Sequence, residues 1–368
     1  MDGTVVCTLG SSLCVDQSGA LWSFGSPTFG VLGGGDKKER LSPQEIDWEG
    51  SAVSVSCGDH HCFVIDTQGK LWGFGLNDKG QLGMGDLYVF NRVPRHVTTS
   101  SQVRLVACGT EHTVYIDYDG QLWSFGDNTT GQLGLGHFRS VHTPQRIEMK
   151  NQELSFDTVS CGSNHTVCKS NGLLYVFGDN SDGQLGLGSE YHINEPVLLP
   201  CSFFATEISC GSQFTIVLSD VGQVYSFGSN KHGELGLGDK KRRTVPSVID
   251  SLEEIQHISC GREHSMCIDS EDYLWTWGSN AFGQLGFGEQ TDTTKPKRLD
   301  KKVLAFSKGG HHSIIKDIDN NTWAFGKNDK GQLGTGDKTT KRTPTPLLAG
   351  EISSIIAHQS INQKSARK

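Results

Sequence analysis

The sequence predicts an all-β fold: a seven-bladed β-propeller with four-stranded antiparallel blades. Three observations carry that reading. A glycine-bounded tetrad returns seven times, at residues 30–33 (GVLG), 80–83, 131–134, 183–186, 233–236 (GELG), 283–286 and 331–334, in steps of 50, 51, 52, 50, 50 and 48. A fixed period of this size marks one supersecondary unit that cannot bury its apolar surface alone. Each unit holds four short β-type runs and no helix-period segment. One of those runs is aromatic at both positions of one face in every unit.

The third unit shows the pattern. Residues 103–108 form a first apolar run, strand a, and 112–117 a second, strand b. Asp119 and Gly120 make a hairpin-type turn. Residues 122–125 are strand c, and the segment around 144–147 is strand d. The seven versions of strand c read LWSF, LWGF, LWSF, LYVF, VYSF, LWTW and TWAF. Alternation puts their second and fourth residues on one face, and all of these are aromatic, from Trp22 and Phe24 to Trp323 and Phe325. The other face mostly carries an aliphatic residue and then a small one. A sheet that is bulky on one side and slim on the other packs between two copies of itself, and a closed ring provides this for every member. An open solenoid needs polar capping repeats, and neither end shows one.

Ring closure leaves a sequence trace. Residues 351–358 (EISSIIAH) read as an eighth strand a, following a seventh strand d at 344–348. The expected closing blade is therefore shared, with strands d and a from the C-terminus and strands b and c (12–16 and 21–24) from the N-terminus. Residues 4–7 compete for the same strand a slot; the longer C-terminal segment is preferred. The propeller domain would span 1–358, with a short basic tail at 359–368.

Composition narrows the function classes. The chain has 368 residues, 46 of them glycine, and a net charge of −8. That balance argues against a general nucleic-acid footprint. No apolar run reaches membrane-spanning length, and the start, MDGTVVCTLG, lacks the positive charge of a signal peptide. Of eleven cysteines, six (Cys7, Cys57, Cys108, Cys161, Cys210 and Cys260) share one repeat position, a blade apart from one another. They read as small buried hydrophobes in a reducing, intracellular compartment, cytoplasmic or nuclear.

The motifs CGTEHT, DGQLWSFG and DNTTGQLGLG, with the later proline, resemble the repeat of the regulator of chromosome condensation family. The resemblance runs from residue 1 to about 358. It implies the propeller fold and a regulatory or interaction role. Members include the nucleotide exchange factor for the Ran GTPase, interaction domains of HECT-type ubiquitin ligases, retinal ciliary GTPase regulators and a plant UV-B photoreceptor. The photoreceptor-like members place tryptophan in the a–b turns; here these read GDHH, GTEH, GSNH, GSQF, GREH and GGHH, which argues against light sensing. The Ran exchange factor has an inserted β-wedge and a basic N-terminal tail. Here the seven glycine-tetrad segments have equal length and the chain begins MDGTVV. Acidic and histidine contacts of that factor sit in a–b turns, whose positions here include Asp59, His60, Glu111, Asn164, Glu263 and His311.

The recurring polar residues read as structural. His61, His112, His165, His264 and His312 share one position spread around the ring, which does not suit a metal site needing converging ligands; they are expected to bond turn backbone. The GQLGLG glycines lack the Lys-Ser/Thr of a phosphate loop. Gln132 is expected to bond loop backbone, Leu133 to pack inward, and Asn77, Asn128, Asn180, Asn230, Asn280 and Asn328 to form turns. No catalytic set stands apart from the repeat, so neither cofactor nor small-molecule substrate is expected; the one activity compatible with the chain is non-covalent nucleotide exchange on a GTPase.

Function is expected where the repeats differ, in the stretch before the strand d proline. By strand direction, the a–b turns and c–d loops share one face, the loop face. Units two to four expose Leu87, Tyr88, Phe90, Phe138 and Tyr191 there. Units five to seven and one collect Lys240, Lys241, Arg242, Arg243, Lys338, Lys341, Arg342, Lys37, Lys38 and Arg40. An aromatic side facing a basic arc suits an acidic protein partner, bound by a monomer through an apolar anchor with electrostatic guidance. A Ran-like small GTPase or chromatin are the alternatives. Trp48 lies outside the repeat and is expected at the surface.

Overall fold

The computed structural model describes residues 5–86, 88–149, 154–307 and 309–348. Among them are 27 strands and one 3-10 turn, Thr28–Gly30. The strands form five four-stranded meanders and one seven-stranded sheet. The latter is two blades joined by a single long strand, Thr293–Phe306, which serves as strand d of the sixth blade and strand a of the seventh. Seven antiparallel blades result. In unit three the strands are Val103–Cys108, His112–Asp117, Leu122–Gly126 and Val141–Arg146, so strand d begins earlier than the sequence suggests.

Strands a of neighbouring blades approach one another and line the axis, while strands d are outermost and mostly half-buried or exposed. Each strand d carries a proline, such as Pro94, Pro144 and Pro196, which lacks an N–H and blunts the outer edge against further pairing.

Seven apolar clusters hold the ring together, each drawn from two adjacent blades. One joins Leu13, Val15 and Leu21 of blade 1 to Val55, Val64 and Phe74 of blade 2. Another joins Cys14 and Phe24 of blade 1 to Ile314, Ala324 and Leu333 of blade 7. An open array of seven blades would have only six such interfaces. The large-against-small packing is visible at the tetrads. Gly334 of blade 7 has φ +65°, and a Cβ there would come within 3.0 Å of the Phe24 ring of blade 1. Gly134 stands in the same relation to Phe177 at 2.9 Å. Glycine is required at these positions both for the left-handed backbone and for the close approach.

The contested strand a of blade 1 is Val5–Cys7, paired antiparallel with Ser11–Val15. In the described residues, blade 1 is thus a continuous N-terminal meander rather than a blade shared with a C-terminal strand. Contacts between blades 1 and 7 close the ring: Gly336 N–H donates to Leu41 O at 2.9 Å, Cys7 Sγ lies 3.2 Å from Ser307 Oγ, and Ser12 Oγ lies 2.9 Å from His312 Nε2. Segment 351–358 and tail 359–368 lie outside the described residues.

On the hairpin face a clamp recurs that the sequence reading did not single out. Asp16, Asp66, Asp117, Asp269 and Asp317 each accept backbone N–H groups of their own turn on one oxygen. The other oxygen accepts the indole N–H six residues on, at 2.7–2.9 Å. The first aromatic of strand c is therefore half-buried with its polar edge bonded, and the second is buried. Blades 4 and 5 replace the pair by Ser170 with Tyr175 and Ser219 with Tyr225. Trp48 is not a free surface ring: it packs edge-on against Trp72 at 5.5 Å.

Candidate functional site on the loop face

Beneath the loop face lies a recurring polar layer. Asn128 Oδ1 accepts the Leu133 N–H at 3.0 Å, and its Nδ2 donates to the carbonyls of His137 and Arg139. The bond from the leucine N–H to the asparagine Oδ1 recurs at Asn77, Asn180, Asn230, Asn280 and Asn328. Gln132 Oε1 accepts the Thr130 N–H at 2.9 Å, and Leu133 is fully buried. These brackets give each c–d loop a fixed path.

The repeated histidines bond the next blade, not turn backbone as expected. His61, His112, His165, His264 and His312 place Nε2 2.9–3.1 Å from the hydroxyls of Thr113, Thr166, Thr215, Ser313 and Ser12. Each hydroxyl donates its single proton to a loop carbonyl, as Thr166 does to Gln132 at 2.9 Å. The hydroxyl oxygen must then accept from the imidazole, which fixes the Nε2–H tautomer. Burial pushes the imidazole pKa values down to about 3 at His61, His112, His264 and His312, and to about 4 at His165. These residues are neutral struts. No group of three or more His, Cys, Asp or Glu side chains is placed to hold a metal ion among the described residues.

Above this layer the a–b turns form a belt around the axis. Backbone bonds run from Thr110 N to Ser163 O, from Ser163 N to Ser212 O, from Ser212 N to Arg262 O and from Arg262 N to Gly310 O, at 2.9–3.1 Å. One ion pair crosses from blade 6 to blade 2: Arg262 Nη1 donates to Asp59 Oδ2 at 2.9 Å, and Thr110 Oγ1 donates to the same oxygen at 3.1 Å. Asp59, His60, Glu111, Asn164, Glu263 and His311 all sit half-buried in these turns, so the predicted turn set does share one mouth. Burial, then the charges of Asp78 and Asp127, raises the Glu111 pKa. Burial lowers those of His60 and His311. Phe29 lies edge-on to His60 at 5.0 Å, and Phe282 lies tilted against His311 at 5.4 Å. The sequence reading passed over Arg262, Phe29 and Phe282. The signals were present: Arg262 is the one basic residue among the a–b turns, and two c–d loops carry phenylalanine just before the tetrad.

The variable loops form the rim. Tyr88, Phe90, Phe138 and Tyr191 are 66, 38, 50 and 80% exposed, on three consecutive blades. Val89 and Val93 add exposed apolar surface on blade 2. The Arg92 guanidinium lies 4.8 Å from the Phe90 ring centre, and that of Arg95 5.8 Å from Tyr88. Leu87 lies outside the described residues.

The basic arc is less free than its sequence implies. Arg242 pairs with Glu190 of blade 4, Arg243 with Asp239, Lys240 with Asp292 of blade 6, Lys341 with Asp337, and Lys338 with Glu39 of blade 1. Buried Arg40 pairs with Asp36. Of the predicted set, Lys37, Lys38, Lys241 and Arg342 have no ion pair among the described residues. An unscreened electrostatic guide is thus replaced by inter-blade and loop-closing pairs, because each basic loop meets an acidic neighbour.

The fold and this mouth define a propeller built of repeats whose turns and loops share one face. The RCC1-like domain pattern matches residues 142–364, and regulator of chromosome condensation (RCC1) repeats match 18–65 and 68–116. The chain belongs to the RCC1-like family. It is 37% identical over 132 residues to the Protein RCC2 homolog of Xenopus laevis, covering 34% of this chain and 25% of that one. It is 32% identical over 224 residues to the ultraviolet-B receptor UVR8 of Arabidopsis thaliana, covering 59% and 50%. The chain thus spans half or less of these relatives' length. Among solved structures, human WBSCR16 superposes with a TM-score of 0.80 at 21% identity, covering 89% of this chain and 94% of that one. Yeast RCC1 (Prp20), solved bound to Kap60, gives 0.80 at 17%, covering 93% and 85%. These structures share the fold.

Proposed function

We propose that the chain is a non-catalytic protein-binding platform that engages its partner through the loop face, as an intracellular monomer of the cytoplasm or nucleus. The observation that carries this is the row of exposed aromatic rings on the c–d loops of blades 2, 3 and 4, whereas the strand c rings of every blade are buried or half-buried. Exposed aromatics set on rigid loops are the material of interface anchors. Support comes from the family: a solved structure of yeast Prp20p is described with binding to Gsp1p and histones. Lys241 and Arg342 would add electrostatic guidance toward an acidic partner, and the mouth residues Asp59, His60, Glu111, Asn164, Glu263 and His311 would frame the contact.

The second reading is nucleotide exchange on a Ran-like small GTPase, favoured by the acidic and histidine groups gathered at that mouth. A chromatin-associated module is a weaker third, since most of the basic arc is already paired. The test uses immobilised chain and its Tyr88→Ala/Phe90→Ala variant. The variant should lose partner capture at least tenfold while its melting temperature stays within a degree or two of the parent's. Unfolding of the variant would instead assign those rings to the core. Release of labelled GDP from purified GTPases, accelerated by orders of magnitude and lost in Asp59→Ala, would install the exchange reading in place of the platform.

A further inference from the structure

We infer that Cys57 and Cys62 form a reversible disulfide that staples the a–b turn of blade 2. They are directly opposed on Ala52–Cys57 and His61–Asp66, and their Sγ atoms lie 2.8 Å apart. Gly58 N–H bonds His61 O at 2.9 Å, so the next pair outward, Cys57 and Cys62, is a non-hydrogen-bonded pair. Such pairs bring their Cα atoms to about 4.5 Å, inside the range a disulfide spans. No backbone movement is needed to close the bond.

The repeat shows that this pair is a departure with no structural explanation of its own. At the same position Cys108, Cys161, Cys210 and Cys260 face Thr113, Thr166, Thr215 and Ser265, and Cys7 faces Ser12. In blade 2 alone cysteine faces cysteine. Loss of the histidine strut does not account for it. Blade 1 has Ser11 where the strut stands, so Cys62 receives no imidazole. Blade 5 likewise has Phe214 there, yet blade 6 keeps the hydroxyl of Ser265, which donates to Glu234 O at 2.8 Å. Cys62 makes only a long contact, 3.9 Å, to the equivalent carbonyl of Val31.

The chemistry balances with hydrogen peroxide as oxidant. Cys57, the more exposed of the two, attacks one peroxide oxygen as thiolate; the O–O bond breaks, water leaves, and Cys57 becomes a sulfenic acid. The Cys62 sulfur then attacks the Cys57 sulfur, its proton leaving with the hydroxyl as a second water. Two thiols lose two electrons and two protons, and one peroxide becomes two waters. Burial holds both thiols protonated, which makes this a slow response to sustained oxidant. The turn so closed carries Asp59 and His60. An effect on partner capture therefore rests on the platform reading, whereas the bond does not.

The experiment exposes the full chain to hydrogen peroxide, quenches, denatures and alkylates. Two of the eleven thiols should resist alkylation, in one linked peptide pair holding Cys57 and Cys62, and dithiothreitol should restore both. Cys62→Thr, which installs the residue that three other blades use, should fold and leave Cys57 alkylatable. Amide exchange across 58–61 should slow on oxidation of the parent and not of the variant. Eleven alkylatable thiols after oxidation, or a bridge between other cysteines, would overturn the inference; neither readout needs a partner.

Discussion

The loop face has two levels that differ in kind. In the lower one, asparagine, glutamine and histidine recur blade after blade, and each asparagine Oδ1 and histidine Nε2 meets a set partner, the histidines' on the next blade. In the upper one, loops of nearly equal length, blade 2's being one residue longer, carry different residues, and aromatic rings stand in solvent without the packing their neighbours receive. The lower level holds the ring; the upper can change without cost to it. The contrast teaches that binding and stability are separable in this molecule, and it can be attacked from either side.

The largest expected effect is acid unfolding, and it belongs chiefly to the lower level. The five strut histidines have folded pKa values near 3 to 4, against about 6.5 in an unfolded chain. Above pH 6.5 both states are neutral and the groups contribute nothing. Below it the unfolded chain takes up protons that the folded one refuses, so stability falls as pH drops toward 4. At pH 5 each histidine costs about 2 kcal/mol and the five together about 10, comparable with a whole domain's stability. Circular dichroism against pH should show cooperative unfolding near pH 5. His112→Phe, copying Phe214 of blade 5, should lower the acid midpoint. An unchanged midpoint would mean that the struts are not the acid-sensitive groups.

A middle effect is expected at the loop brackets. Asn128→Ala removes the acceptor of the Leu133 N–H and the donor to two carbonyls in a buried site. Unpaired buried groups of this kind cost about 1–3 kcal/mol each, so urea unfolding should show a loss of about 2–4 kcal/mol. A loss under about 0.5 would mean that water or a shifted loop replaces the bracket.

How much of this was legible follows from distance along the chain. The blade number, the strand pattern and the Asn and Gln brackets can be read because each acts within one repeat, and the period repeats the signal seven times. The aspartate–tryptophan clamp was equally local, a six-residue spacing such as Asp16 to Trp22, and went unread because strand c drew attention to its rings rather than to their N–H groups. The pairing of Arg262 with Asp59 crosses 203 residues and the ring axis; nothing within a repeat encodes which turns meet there. The basic arc misled for a related reason. Arg242 and Glu190 lie in different units, so the neutralising partner is invisible until adjacent blades are set side by side.

The smallest expected effect separates the two kinds of cation on the rim. Lys240 and Arg242 sit in half-exposed pairs with Asp292 and Glu190, and such pairs are worth about 0–1 kcal/mol. Lys240→Ala with Arg242→Ala should therefore leave both stability and partner affinity nearly unchanged, because the arc offers a partner little charge that its own acids have not met. Lys241→Ala with Arg342→Ala removes cations that hold no acid. That variant should keep its melting temperature but bind its partner more slowly at low salt, with the difference fading as ionic strength rises. Association rates for both double variants across a salt series decide the point. Equal slowing in the two would show that the paired cations still steer, and the division between a structural and a recognising part of the rim would fall.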